Sequence, residues 1–205
     1  MAKKPSFDVH PGVAVTQKWL ATLKERTGRS VEEWVAVVTT CPHEGAAERR
    51  EWLKRTHGLG TVNAWHFVER AMGRGMEEDD PESYLKAAEG YYAAMFAGKR
   101  AHLTPVAVAL FAMARRLGKD VKVSPCQTMV PLYRRHVFAQ VKPTTQTRID
   151  LGLALGDLKV PKRLIDTGGL AKRDRITHRI ELSSVVEIDA FVERWMRTAY
   201  ERDAA

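Results

Sequence analysis

The sequence predicts an α+β protein in two parts: an N-terminal unit of four helices containing a helix-hairpin-helix-like turn, then helices packed on an antiparallel β-meander. Three observations lead there. Apolar residues recur at helical spacing up to about Met72, the period changes to two after Val121, and between them lies a glycine-containing acidic stretch without periodicity.

In chain order, Val13 to Thr27 places Val15, Trp19, Leu20 and Leu23 on one stripe, with Gly28 as a stop signal. Ser30 with Glu33 three residues on forms a capping box, and Val31, Trp34, Val35 and Val38 make the apolar face of a second helix ending near Thr40. A third helix over Gly45 to His57 follows the Cys41-Pro42 break, and a fourth runs from Gly60 to about Met72 through Ala64, Phe67, Val68 and Ala71. Gly73 to Ser83 reads as an exposed linker, so the expected organisation is a helical domain over 1–73, a linker over 74–83 and an α+β domain over 84–203.

The second part opens with Asp80-Pro81, an N-cap followed by proline at the first helical position, ahead of Tyr84, Ala88, Tyr91 and Met95. Thr104-Pro105 repeats the device before Val106, Leu110, Met113 and Leu117, with Gly118 as the expected C-terminal cap. Val137, Ala139 and Val141 alternate with polar neighbours, as do Ile149 to Leu155 and Ile176 to Leu182, and the intervals around Arg134-Arg135 and Thr144 to Gln146 suit hairpins. Ser184 to Tyr200 closes the chain as a helix.

Composition excludes several classes. No run approaches the length of a membrane span, and the start MAKKPSFDVHPGV has no apolar stretch behind its basic residues, so a cytoplasmic location with no membrane partner is expected. Cys41 and Cys126 are too few for a disulfide framework or a four-cysteine zinc site, and Cys41, His43 and His57 lack a fourth ligand nearby, so no metal is expected. There is no nucleophile elbow, Walker loop, dinucleotide fingerprint or paired-carboxylate arrangement. No catalytic residue and no cofactor are therefore assigned.

The net charge of +8 is unevenly placed. Residues 1–80 carry twelve basic and twelve acidic side chains, whereas Lys119 to Arg179 holds thirteen basic residues against five aspartates. Such an asymmetry suits a polyanionic partner, DNA or RNA contacted through phosphates, and equally a solvated basic surface. Arg134, Arg135, Lys142, Arg148, Lys172, Arg173, Arg175 and Arg179 are the candidate contacts.

A second phosphate-contacting candidate is the segment Leu53 to Phe67. Gly58 would take the left-handed conformation that ends one helix, Leu59 would plug the core, and Gly60 would let the next helix start close to a ligand. The free amides of Gly60, Thr61 and Val62 at that helix N-terminus, with Lys54 and Arg55 nearby, would then face a phosphate. A tight helix-to-helix turn needs the same glycines and is the competing reading. An alternative pocket for a small anion, in a binder or an uncharacterised enzyme, would use Thr128, Lys142, Arg148, Asp150 and His178, although His178 in apolar phase also reads as a core residue. An adaptor role would require an exposed apolar patch on the helical unit.

Both halves resemble known families. Trp19-Leu20, Thr27 to Val35, Trp52-Leu53-Lys54 and His57 to Gly60 are similar to the bacterial family catalogued as domain of unknown function 4287, although Thr61 and Val62 stand where that family has further His and Gly. Val123 to Thr128, Val141-Lys142-Pro143, Arg148 to Leu153 and Thr177-His178-Arg179 resemble the family catalogued as domain of unknown function 5655. The resemblance implies a two-domain chain and carries no activity with it.

Overall fold

A computed structural model of the chain describes residues 5–204. It divides into two units, one over 11–84 and the other formed by the residues up to His10 together with those from Leu85 onward. The division differs from the expected one in two places. The N-terminal residues join the second unit, because the Asp8 backbone N–H donates to the Val123 carbonyl at 2.9 Å while the Asp8 carboxylate accepts from the Val123 N–H at 2.8 Å and from Arg115 at 2.7 Å. The stretch expected to be a linker contains a 3-10 turn, Met76–Glu78, and the start of a helix. Arg70 pairs with Asp79 there, Arg74 bonds Glu69 at 2.8 Å, and Gln17 donates to the Asp79 carbonyl at 2.8 Å. Charged residues that read as solvated linker are thus tied back to the helices.

The unit over 11–84 holds α1 (Pro11–Ala21), α2 (Leu23–Thr27), α3 (Val31–Thr39), α4 (Ala46–His57) and α5 (Thr61–Ala71). The single helix expected over Val13 to Thr27 is broken at Thr22, whose backbone (φ −102°, ψ 6°) leaves the helical region. Arg26 braces the break, its guanidinium donating to the Trp19 and Thr22 carbonyls. Val15, expected on the apolar stripe, is 67% exposed, and Val13 is buried instead. The capping box at the start of α3 forms as expected, with Ser30 Oγ accepting from the Glu33 N–H and the Glu33 carboxylate accepting from the Ser30 N–H. Helix α5 packs against α3 and α4. Their shared core is Leu23, Trp34, Val38, Leu53, Leu59, Ala64, Phe67 and Val68, with the Trp34 and Phe67 rings stacked at 5.6 Å.

The second unit contains α6 (Pro81–Met95, which straddles the division), α7 (Thr104–Leu117), α8 (Ala190–Arg202) and strands β1 (Lys122–Val123), β2 (Val130–Tyr133), β3 (Val137–Lys142), β4 (Ile149–Leu153), β5 (Ile165–Asp166) and β6 (His178–Leu182). The sheet order is β1-β2-β3-β4-β6-β5, with every neighbouring pair antiparallel. Strands β2, β3 and β4 are the expected hairpin-connected run, and the two-residue β1, which was not expected, pairs ahead of them. The last two exchange places, because the long segment after β4 carries the two-residue β5 to the sheet edge and β6 returns between them. Helix α8 packs on β3 and β4 and against α7, closing a core that includes Leu110, Phe111, Leu132, Phe138, Leu151, Ile180 and Met196.

Gly118 is the C-cap of α7, as expected, but not in the left-handed conformation common for a glycine there. Its backbone is extended, and a side chain there would collide with the Tyr200 hydroxyl and the Asp120 carboxylate, which bond each other at 2.7 Å. Glycine is needed there for space and not for conformation.

Candidate phosphate-binding cleft

The helix-to-helix turn after α4 is built as its glycines require. Gly58 ends α4 at φ +66°, its N–H donating to the Lys54 carbonyl, and Leu59 is buried beneath the turn. Gly60 opens α5 as N-cap at φ −68°, ψ 158°, and no side chain accepts from the first-turn amides. Those amides carry the positive end of the α5 dipole. Any residue adopts the Gly60 backbone angles, and a Cβ there would meet no atom within 4 Å. Neither conformation nor packing inside the chain calls for glycine at this position.

A second left-handed glycine, Gly28 (φ +77°), ends α2 and brings its flanking arginines beside this turn. Together the two turns enclose an open cleft of about 670 Å³ lined by Arg26, Arg29, Trp34, His57, Gly58, Gly60 and Asn63 among others, with no carboxylate in its lining. Arg26 is held by the Trp19 and Thr22 carbonyls. Arg29 lies over the Trp34 ring at 4.9 Å, and neither arginine has a carboxylate partner among the described residues. A guanidinium stacked on indole keeps its donor edge free for an anion. At the same cleft, His57 Nε2 is buried without a hydrogen-bond partner among the described residues, its ring wedged edge-on between Trp34 and Trp52 at 5.7 and 4.9 Å.

The basic side chains expected beside the hairpin stand elsewhere. Lys54 bonds Glu51 at 2.8 Å and lines a separate small recess with Arg50 and Thr61, and Arg55 is exposed outside the cleft lining. Arg26 and Arg29 take the places that spacing had given to Lys54 and Arg55. The signal for them was a glycine flanked by two arginines, Arg26-Thr27-Gly28-Arg29, which on its own reads only as a helix stop.

The basic residues of the second unit do not form one open surface. Arg134 bonds Asp120 at 2.8 Å and lies over the Tyr200 ring at 4.2 Å; the bonds from Tyr200 and Arg134 hold the Asp120 carboxyl below its usual range. Arg135 donates its backbone N–H to Asp203 and its guanidinium to the Ala204 carbonyl, and Arg175 pairs with the same Asp203 at 2.7 Å. Arg148 and Arg179 share Asp150 and Glu181 on the polar face of the sheet, at 2.9 to 3.3 Å, while Thr144 donates to Asp150 at 2.8 Å. Lys142, Lys172 and Arg173 have no ion pair among the described residues, and Arg173 sits in the long loop at φ +56°.

Of the five residues of the alternative pocket, Lys142 and Asp150 are cross-strand neighbours and Arg148 joins Asp150, so these three come together. Thr128 is exposed in the turn between β1 and β2. His178 opposes Leu153 on the apolar face of the sheet, buried, with Nδ1 3.0 Å from the Thr177 hydroxyl. The alternation of the strands separates His178 from Asp150, so the five do not share a site. Among the described residues no group of three potential metal ligands assembles, and no helix is long and apolar enough to cross a membrane.

Fold and site together define a two-part chain, a helical unit with a cation-lined turn and an α+β unit with an internally paired charged sheet. The chain belongs to the family described as Domain of unknown function (DUF5655), whose model matches residues 92–203. Residues 15–70 match the model described as Domain of unknown function (DUF4287), which spans the cleft. No curated protein and no solved structure matches the chain.

Proposed function

We propose that this is a cytoplasmic, phosphate-contacting protein that binds nucleic acid through the helical unit. The observation that carries the reading is the cleft at the start of α5, where the helix N-terminus has no side-chain cap and a Gly60 that the fold itself does not require lines the same carboxylate-free space as Arg26 and Arg29, neither of which holds a carboxylate. Backbone amides and guanidinium groups recognise phosphate oxygens regardless of base, so binding has little sequence preference. The basic residues of the second unit support this reading less, because Arg134, Arg148, Arg175 and Arg179 are already paired.

The test is fluorescence anisotropy of a labelled mixed-sequence oligonucleotide, at low salt, with wild type, Arg29→Ala and Gly60→Asp. An aspartate at the N-cap accepts from the first-turn amides and so stabilises α5 by a few tenths of a kcal/mol, about the margin by which it exceeds glycine as a cap. It also puts a negative charge where the phosphate would sit. Gly60→Asp therefore raises thermal stability while abolishing binding, and Arg29→Ala weakens binding without unfolding. No binding by wild type at low salt, or full binding by Gly60→Asp, would overturn the reading.

A further inference from the structure

Helix α5 has a second surface one step around from the cleft. Val62 and Trp65 are exposed at 70% and 36%, and with Val15, Trp19, His66 and Glu78 they line a mostly apolar recess of about 200 Å³. Val15 and Trp19, one helical turn apart on α1, supply one side of the recess, and Val62, Trp65 and His66 of α5 supply another. His66 is 4% exposed, packs edge-on against Trp19 at 5.3 Å, and has an Nε2 atom with no hydrogen-bond partner among the described residues. Burial pushes its pKa down to about 4, so the imidazole is neutral at physiological pH and adds no charge to the recess. Neutral aromatic walls, a polar atom without a partner and a carboxylate at the rim suit a flat, uncharged ring that carries N–H groups.

Cleft and recess meet on the first turn of α5. Asn63 lines the cleft and the preceding Val62 lines the recess. A phosphate in the cleft is joined through one sugar to its base, and the recess, lined by the residue adjoining Asn63 on α5, offers that base an apolar surface. In a duplex the bases are paired and stacked inward and cannot reach it. We infer that the preferred ligand is a single strand, with one unpaired base lodged in the Trp65 recess and its phosphate in the Arg29 cleft. This rests on the phosphate reading above and adds the substrate class to it.

The experiment compares three probes of equal length at low salt: a mixed-sequence single strand, its duplex, and an abasic single strand that keeps the phosphates and lacks the bases. Wild type binds the single strand most tightly. Trp65→Ala weakens that probe roughly tenfold, the worth of one base–aromatic stack, and leaves the abasic probe unchanged. Trp65→Phe keeps a ring at the site and restores most of the loss, which separates stacking from a change in fold. Arg29→Ala weakens all three probes. If duplex and single strand bind alike, or Trp65→Ala leaves the single strand unaffected while Arg29→Ala still weakens it, the recess does not take a base and this inference fails with the phosphate reading intact. A recess that serves an apolar protein partner gives that same pattern. If no probe binds wild type, both readings fail together.

Discussion

Acidification destabilises the helical unit through His66, and the size of the effect follows from where that imidazole sits. Its Nε2 is buried without a partner, and burial, with a smaller contribution from the Arg70 charge, pushes the pKa from 6.5 down to about 4. In the unfolded chain the ring protonates near 6.5, so between pH 6.5 and pH 4 the unfolded state takes up a proton that the folded state refuses. The stabilisation is complete above pH 6.5, declines as the pH falls, and declines no further below about 4. Linkage gives a loss of about 2 kcal/mol from pH 7.5 to pH 5 and about 3 kcal/mol by pH 4. Urea unfolding of the full chain followed by tryptophan fluorescence reads this, since Trp19, Trp34, Trp52 and Trp65 all lie in the helical unit. His66→Phe keeps the edge contact with Trp19 and removes the titrating nitrogen, so the difference between variant and wild type isolates the histidine from every carboxylate that titrates in parallel. Parallel pH curves for the two proteins, or an NMR titration of His66 with a midpoint near 6.5, would refute the reasoning.

Two further outcomes follow from the packing. Gly58→Val places a β-branched residue at φ +66° and lowers helical-unit stability by about 1–3 kcal/mol, read as a reduced urea midpoint; an unchanged midpoint would mean that the turn tolerates another conformation. Asp203→Ala removes a buried acceptor that serves the Arg135 and His136 backbone N–H groups and the Arg175 guanidinium, so it destabilises the α+β unit by about 3 kcal/mol or more, measured by calorimetry against Asp203→Asn, which retains one acceptor oxygen.

What could be read from the chain depended on how local each determinant is. The α4–α5 turn was legible because the left-handed demand at Gly58 and the plug at Leu59 act over three residues. The Ser30–Glu33 capping box was legible for the same reason. The break at Thr22 was not, since no proline or glycine marks it and its stabilisation comes from Arg26 reaching back to the Trp19 carbonyl. Arg26 and Arg29 were missed because their role depends on the α2–α3 turn arriving beside the α4–α5 turn, which no spacing along the chain encodes. In the sheet, alternation located β3, β4 and β6. It could not show that cross-strand register sets Lys142, Asp150 and Glu181 in one row, and so it could not show that Arg148 and Arg179 are paired.

This separation of charge from site alters the meaning of the +8 excess. Formal charge counts every arginine equally, but an arginine that already holds a carboxylate at 2.7 to 3.3 Å must give up that pair before it can hold a phosphate. Four of the eight basic candidates in the second unit are in that position, and their contribution to a polyanion is long-range attraction that salt screens within about 10 Å at ordinary ionic strength. The helical unit has the opposite character. Over 11–84 twelve carboxylates outnumber ten basic groups, so it has no attractive field at long range, yet its cleft sets two guanidinium groups without carboxylate partners and a helix N-terminus against no carboxylate in its lining. A phosphate binds more readily to guanidinium groups that need not first leave a carboxylate, and by that criterion the cleft of the near-neutral unit would be the better binding surface. The basic unit would raise the rate of encounter, while the contacts that hold the ligand would lie in the cleft formed by the α2–α3 and α4–α5 turns.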